Sequence, residues 1–355
     1  MAEVLDYLVF VGTYTTGESK GIYVFRLEDT SGKLEQINLA PNVENPSYLE
    51  IHPSGKFLYA VNEIDEGLLS SFNIDVKTGG IKLLNQQSSL GNAPCHISID
   101  KSGRCALITN YESGNICAST IGDNGYLSEA KSNIKHHGKS TDPVRQKGPH
   151  AHSINIDPYN RFAVVADLGL DQVLVYRLDT ANAKLELNNS PLVQLPGGQG
   201  PRHLDFHPSG HYAYLINEIG NTLSSFKYDA SYGTLSEIQR VSALPHDFDN
   251  TNQCADIHVH PSGKFVYGSN RGHDSICIAR IDQESGRLTA LNFQATGGIN
   301  PRNFALEPSG KYLFAANSDS NNIVTFKIDK DSGLLGPTGY FAEVPTPVCI
   351  KILAI

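Results

Sequence analysis

The chain has 355 residues, with 28 Lys+Arg against 37 Asp+Glu and a formal net charge of -9 at pH 7. That balance excludes a nucleic-acid backbone as partner, which needs a basic field, but it is compatible with a small anion held by a few local cations. Hydrophobic residues at 40% can fill a sizeable core, and 32 Gly, 18 Pro, one Met and no Trp describe a turn-rich β chain rather than a helical bundle.

The opening residues, Met1-Ala-Glu-Val-Leu-Asp-Tyr7, carry neither a basic segment nor a long apolar stretch, so no export signal and no membrane contact is expected. Tyr7–Gly12 then reads as an apolar strand with no partner strand before it. The stretch Pro46-Ser-Tyr-Leu-Glu-Ile-His-Pro-Ser-Gly-Lys-Phe-Leu-Tyr-Ala-Val-Asn62 recurs as Pro201-Arg-His-Leu-Asp-Phe-His-Pro-Ser-Gly-His-Tyr-Ala-Tyr-Leu-Ile-Asn217. It returns as Pro301-Arg-Asn-Phe-Ala-Leu-Glu-Pro-Ser-Gly-Lys-Tyr-Leu-Phe-Ala-Ala-Asn317, and looser copies begin at Pro94, Ala151 and Cys254. The turn residues of these copies are Gly55, Gly103, Asn160, Gly210, Gly263 and Gly310, spaced 48, 57, 50, 53 and 47 apart. Seven residues after each comes Asn62, Asn110, Asp167, Asn217, Asn270 or Asn317.

Each copy reads as four strands. An alternating strand leads through the turn to a nearly continuous apolar one, then to a third such as Thr222–Tyr228 or Ile323–Ile328, and to a short fourth such as Lys82–Asn85. A period near 50 with four antiparallel strands is the signature of a β-propeller. Tyr7–Gly12 matches Phe57–Asn62 at an offset of 50, and Pro347–Ile352 matches Pro301–Leu306 at an offset of 46. The C-terminal strand is therefore expected to complete the blade that the N-terminus begins. This gives an all-β, seven-bladed propeller spanning residues 1–355 as one domain, with no sheet edge left open on the inside of the ring.

Departures from the repeat carry the functional signal. Arg202 and Glu218 lie symmetrically about the turn at Gly210, so they should meet across the hairpin at one mouth of the ring. The position after the initial Pro gives Ser47, Cys95, His152, Arg202, Ala255 and Arg302, and the position after the Asn gives Glu63, Tyr111, Leu168, Glu218, Arg271 and Ser318. His96, His203 and Asp256 follow one residue further in. Charged groups gathered in an apolar scaffold must be paired, wet or waiting for a ligand, and the excess of Arg marks an anion site.

The longest interval holds Lys131–Ser153, with five Lys/Arg and one Asp, leading into His152. It reads as a rim segment that attracts an anion. Its Gly138-Lys139-Ser140 is no phosphate loop, because Asn133 stands where that loop needs Gly. The six cysteines, Cys95, Cys105, Cys117, Cys254, Cys277 and Cys349, form no C-x-x-C pair and no zinc spacing. Reduced thiols in a cytoplasmic protein are expected, and no coiled-coil pattern argues against a monomer.

Gly12-Thr-Tyr-Thr, Arg145-Gln with Pro149-His-Ala-His-Ser153, Gly200-Pro-Arg-His, Asn217-Glu218, Ala255-Asp-Ile-His and Ser269-Asn-Arg271 together resemble the seven-bladed lactonase family. That family includes propeller-type 6-phosphogluconolactonases, which serve the pentose phosphate pathway, and fungal carboxymuconate-lactonising enzymes. The resemblance implies a lactone hydrolase acting on a small anionic sugar lactone, most simply 6-phosphoglucono-1,5-lactone, without metal or other cofactor. It places His152, Arg202, Glu218 and Arg271 at the catalytic positions, with His150 as an alternative to His152. Glu218 is expected as general base and His152 as its proton-donating partner, a pair whose roles could exchange, with Arg202 and Arg271 holding the anion and the developing oxyanion. Arg302, His150, His203, Glu63, His96, Asp256 and Arg145 are expected around the substrate. The other readings are muconate cycloisomerisation, a calcium-dependent lactonase using Glu63, Asn110, Asn217 and Asp256, and a non-catalytic protein-binding propeller. The adjacent arginines weigh against calcium.

Overall fold

A strand that is apolar on both faces must be covered on both faces, and packing sheet against sheet around an axis does this for every copy of the repeat at once. The computed structural model describes residues 6–189 and 192–355, so Met1–Leu5 of the opening segment lies outside the described residues. Seven antiparallel sheets form the blades. Blade one is composite: Pro347–Ala354 is innermost and pairs with Tyr7–Thr13, followed outward by Gly21–Glu28 and Lys33–Pro41. The other six sheets follow in chain order, with inner strands Tyr48–Ile51, Pro94–Ile99, Ala151–Ile156, Pro201–Phe206, Gln253–Val259 and Pro301–Leu306. Neighbouring inner strands touch all round the ring, the strand from Pro347 lying between those from Pro301 and Tyr48. The expected closure by the C-terminal strand is thus what the chain does.

The core lies between blades. Phe10, Leu58, Tyr59 and Phe72 belong to one buried cluster spanning blades one to three, and Phe265, Tyr267, Phe304 and Phe326 to another between blades six and seven. Polar tethers repeat with the fold. Tyr59, Tyr214 and Tyr267 each donate to the carbonyl of an outer-turn glycine in the next blade, Gly125, Gly286 and Gly333. His52, His207 and His260 each reach the carbonyl of the next blade's turn glycine at 2.9 Å. All six turn residues adopt positive φ, including Asn160 at 62°, a conformation that glycine and asparagine tolerate best.

Two local differences from the sequence reading matter. Residues Leu127–Lys135 are the outer strand of blade three, so the inserted loop begins only at His136. The periodicity there is strand-like, with alternating half-buried and exposed residues, and the charges of Lys131 and Lys135 point to solvent. The hairpin register is also not the plain one. Pro201 opposes Asn217 but His203 opposes Ile216, which leaves Arg202 as a one-residue bulge. The same bulge falls on Cys95, His152 and Arg302, on Ala255–Asp256 in blade six, and on Val348 in the closing strand. A bulge bends the strand and re-aims the extra side chain, and here it does so at the same mouth in blade after blade.

Candidate active site

The bulged residues and those that follow the second strands enclose a cavity of about 270 Å³ at one mouth, lined by Glu63, Ala93, Cys95, Tyr111, Glu112, Arg145, His152, Glu218, Gln253, Arg271 and Arg302. At its floor Glu218, buried to 3% exposure, receives three guanidiniums. Arg145 Nη2 reaches Oε1 at 2.5 Å, while Arg202 Nε and Arg271 Nη2 reach Oε2 at 2.9 and 2.7 Å. Backbone carbonyls hold two of these arginines: Arg202 Nη1 donates to Ala255, and Arg271 donates to Gln253 and Cys254. Burial alone would raise the Glu218 pKa, but Arg271, Arg202 and Arg145 outweigh it and bring it down to about 2.

His152 lines the same cavity. Neither of its ring nitrogens makes a hydrogen bond among the described residues, and Nδ1 is fully buried, which leaves Nε2 as the nitrogen that a ligand can reach. Burial first, then the nearby Arg202, His203 and Arg302, hold its pKa well below the ordinary imidazole range, so the ring is neutral. Tyr111 stands edge-on to it at 5.4 Å. The Tyr111 hydroxyl accepts from Arg145.

Arg145 is the one pocket cation delivered by the inserted loop, and the loop is built to present it. Asp142 accepts from the Val144 and Arg145 amides, while the fully buried Gln146 accepts from the Asp142 amide and donates to the Leu168 carbonyl. Lys139 and Lys147 of the same loop are exposed and do not line the cavity.

The remaining candidates separate. His150 is anchored elsewhere: its amide donates to Asp167, its Nδ1 bonds the Tyr111 carbonyl at 2.9 Å, and its ring stacks on Tyr111. It does not line the cavity, because the bulge turns His152 inward in its place. His96, His203 and Asp256 form a buried layer beneath the arginines and line a second cavity of about 230 Å³, with Tyr48, Glu50, His258 and Lys351. They are expected around the substrate from sequence, yet Arg202 lies between them and the mouth, bonding His203 below and Glu218 above. The four oxygen donors of the calcium reading are likewise dispersed. Glu63 lines the first cavity and Asp256 the second, while Asn110 and Asn217 use their Nδ2 groups on Ser89, Thr222 and Ser224.

Ala93, Glu112 and Gln253 line the cavity without having been singled out from sequence, and Tyr14, which bonds both Glu63 and Arg302 of that lining, was quoted only within a motif. Tyr14 lies in the quoted Gly12-Thr-Tyr-Thr segment, and the 50-residue offset sets it one place beyond the position of Glu63. That offset was the available signal.

Comparison with known proteins is consistent across sequence and structure. A family model described as a seven-bladed β-propeller lactonase matches residues 8–352. A relative from Bacillus subtilis named 6-phosphogluconolactonase is 36% identical, the match covering 98% of each chain. One of the same name from Formosa agariphila is 34% identical over 84% of this chain and 86% of its own. The solved structure of the periplasmic gluconolactonase of Pseudomonas aeruginosa superposes with a TM-score of 0.94 at 30% identity, covering 99% of both chains.

Proposed function

The chain belongs to the seven-bladed β-propeller lactonase family, and from that premise we propose that it hydrolyses 6-phosphoglucono-1,5-lactone to 6-phosphogluconate. The observation that carries the reading is the neutral, unbonded imidazole of His152 beside a carboxylate that gathers three guanidiniums. The full-length relatives named for that activity support the choice of substrate.

A lactone is an ester, so its hydrolysis needs an activated water, stabilisation of the oxyanion and a proton for the departing ring oxygen. Both oxygens of Glu218 are occupied by guanidiniums whereas the ring nitrogens of His152 are unbonded, which favours exchanging the roles expected from sequence. His152 Nε2 takes a proton from water as the water oxygen bonds to C1. The resulting tetrahedral oxyanion is stabilised by Arg271 and Arg202. As the bond from C1 to the ring oxygen breaks, the imidazolium returns its proton to that oxygen, and the new carboxylic acid ionises to solvent. Glu218 holds the guanidiniums in position throughout. No step requires a metal.

Six buried free thiols favour a reducing compartment, and with them we assign the protein to the cytoplasm, acting as a monomer. No helix among the described residues is long and apolar enough to cross a membrane.

The test is hydrolysis of freshly generated lactone, corrected for its spontaneous rate, by wild type and by His152→Ala, Arg202→Ala and Glu218→Gln, each with and without chelator. Chelator-resistant acceleration that His152→Ala abolishes is the expected result. An absence of acceleration by the wild type overturns the assignment.

A further inference from the structure

Three guanidiniums, those of Arg145, Arg271 and Arg302, border the mouth cavity and a fourth, that of Arg202, lies beneath its floor, but Arg145, Arg202 and Arg271 all serve Glu218. The remaining one, Arg302, forms no ion pair among the described residues. Its Nη2 donates to the Tyr14 hydroxyl at 2.9 Å, and its guanidinium carbon lies 5.4 Å from the centre of the Tyr14 ring. Tyr14 donates its own hydroxyl proton to Glu63 Oε2 at 2.9 Å. Only oxygen lone pairs are then left facing Arg302, so Glu63 fixes Tyr14 and Tyr14 fixes the guanidinium, without a carboxylate occupying the guanidinium's fork.

The placement in the ring is as informative as the bonding. Arg302 is the bulge of blade seven, Tyr14 follows the Tyr7–Thr13 strand of blade one, and Glu63 follows the Phe57–Asn62 strand of blade two. His152 is on blade four, Arg202 and Glu218 on blade five, and Arg271 on blade six. In a ring of seven, blade seven adjoins blade six but stands three blades from blade four, so Arg302 sits beside Arg271 and across the axis from His152. The cavity therefore has His152 on one side and, across the axis from it, a cation that is oriented and uncommitted. Glu63 and Glu218 are the carboxylates bordering it inside the rim, against the guanidiniums of Arg145, Arg271 and Arg302 on the lining and that of Arg202 beneath the floor, and Glu112 is exposed. The balance suits an incoming dianion better than a neutral sugar.

We propose that Arg302, set in place by Tyr14 and Glu63, is the seat for the phosphate of the substrate and selects phosphate-monoester lactones over uncharged sugar lactones. Guanidinium suits this task because its planar fork matches phosphate oxygens in pairs. The phosphate and the lactone carbonyl are at opposite ends of the six-carbon chain, as Arg302 and His152 are on opposite sides of the axis. This deepens the hydrolase reading and rests on it for the position of the ester, but binding tests it without turnover.

The experiment is calorimetric binding of 6-phosphogluconate and of gluconate to wild type, Arg302→Gln and Tyr14→Phe, with the melting temperature of each variant measured alongside. Wild type is expected to bind the phosphorylated acid at least about tenfold more tightly. Arg302→Gln is expected to erase that advantage and Tyr14→Phe to reduce it. The ratio of kcat/KM for phosphorylated over plain gluconolactone should fall in the same order. Equal affinities in wild type, or an advantage undiminished in Arg302→Gln, overturns the proposal even if both lactones are hydrolysed. Arg302-dependent binding in a protein that hydrolyses neither lactone leaves the seat standing and removes the hydrolase reading instead.

Discussion

His203 Nδ1 lies 2.7 Å from Asp256 Oδ1, and this bond decides which ring nitrogen of His203 turns a lone pair to Arg202. A guanidinium can only donate, so Arg202 Nη1, 3.2 Å from His203 Nε2, needs a lone pair there. Asp256 keeps the imidazole proton on Nδ1 and supplies that lone pair. Asp256, itself bonded to His258 and Asn303, thus positions Arg202 through His203.

Asp256→Asn should therefore impair catalysis more than its effect on the fold accounts for. An amide that offers His203 a donor stabilises the other tautomer, which turns an N–H toward Arg202. A fall in kcat/KM of at least about tenfold is expected while the melting temperature permits a fully folded assay, in line with losses at groups that orient reacting ones. The check is kcat/KM together with its pH profile. An unchanged profile and rate would show that Arg202 holds its place without help.

Acid should weaken the fold before it strips the carboxylates. Burial, then neighbouring cations or histidines, holds His96 and His152 well below the usual imidazole range and His203 at about 4. In the unfolded chain these groups titrate near ~6.5. The unfolded state therefore binds more protons than the folded one between those values. Stability is complete above ~6.5 and falls as pH drops toward ~4. Glu218 and Asp256, whose folded pKa values are depressed, keep their contribution until the pH falls below the ordinary carboxylate range. His258 works in the opposite sense: burial lowers its pKa but Asp256 raises it further, so its contribution fades as pH rises. Melting temperatures from pH 7 down to pH 4 should decline steadily, and a flat profile contradicts the three neutral histidines.

Glu218→Gln should cost stability as well as activity. It leaves three guanidiniums around a neutral amide, and breaking a buried ion pair by removing one partner costs about 3–5 kcal/mol. Denaturant titration should show the loss, and anions such as inorganic phosphate should recover part of it. A variant as stable as wild type would mean that water already screens these charges.

Gly169→Ala tests the seat of the inserted loop. A Cβ there would run into the Gly148 carbonyl oxygen and crowd the His150 amide. The backbone must shift at a cost of about 1–3 kcal/mol, and the shift lies between Arg145 and His152. Activity should drop by more than the stability loss explains, which kcat/KM and thermal melts on the same sample would separate.

The fold was legible because every copy of the repeat reports on the same template, and even the split blade declared itself through two matching offsets. The site was legible where it used that template: Cys95, His152, Arg202, Arg302, Glu63, Glu218 and Arg271 all occupy two repeat columns and all border the cavity or its floor. What the columns do not give is depth. Columns give an angular position around the ring, but the bulge at Arg202 rotates one residue toward the mouth and leaves His203 directed below it. For a related reason the columns left the choice of base open between Glu218 and His152. No column could say that Arg145, arriving from a loop outside the repeat, would be the third cation on Glu218.

The composite blade gives assembly a direction in time. Tyr14 is made within the first strand and loop, while Arg302 and the strand Pro347–Ala354 that draws blade seven against blade one come almost last. During synthesis the nascent chain carries an open seam where those two residues will later touch. The closing strand acts as a clasp: it covers the edge of Tyr7–Thr13 and packs between blades seven and two, where Arg302 meets Tyr14. A chain cut short before residue 347 would thus lack a closed ring and leave the Tyr7–Thr13 strand as an open edge.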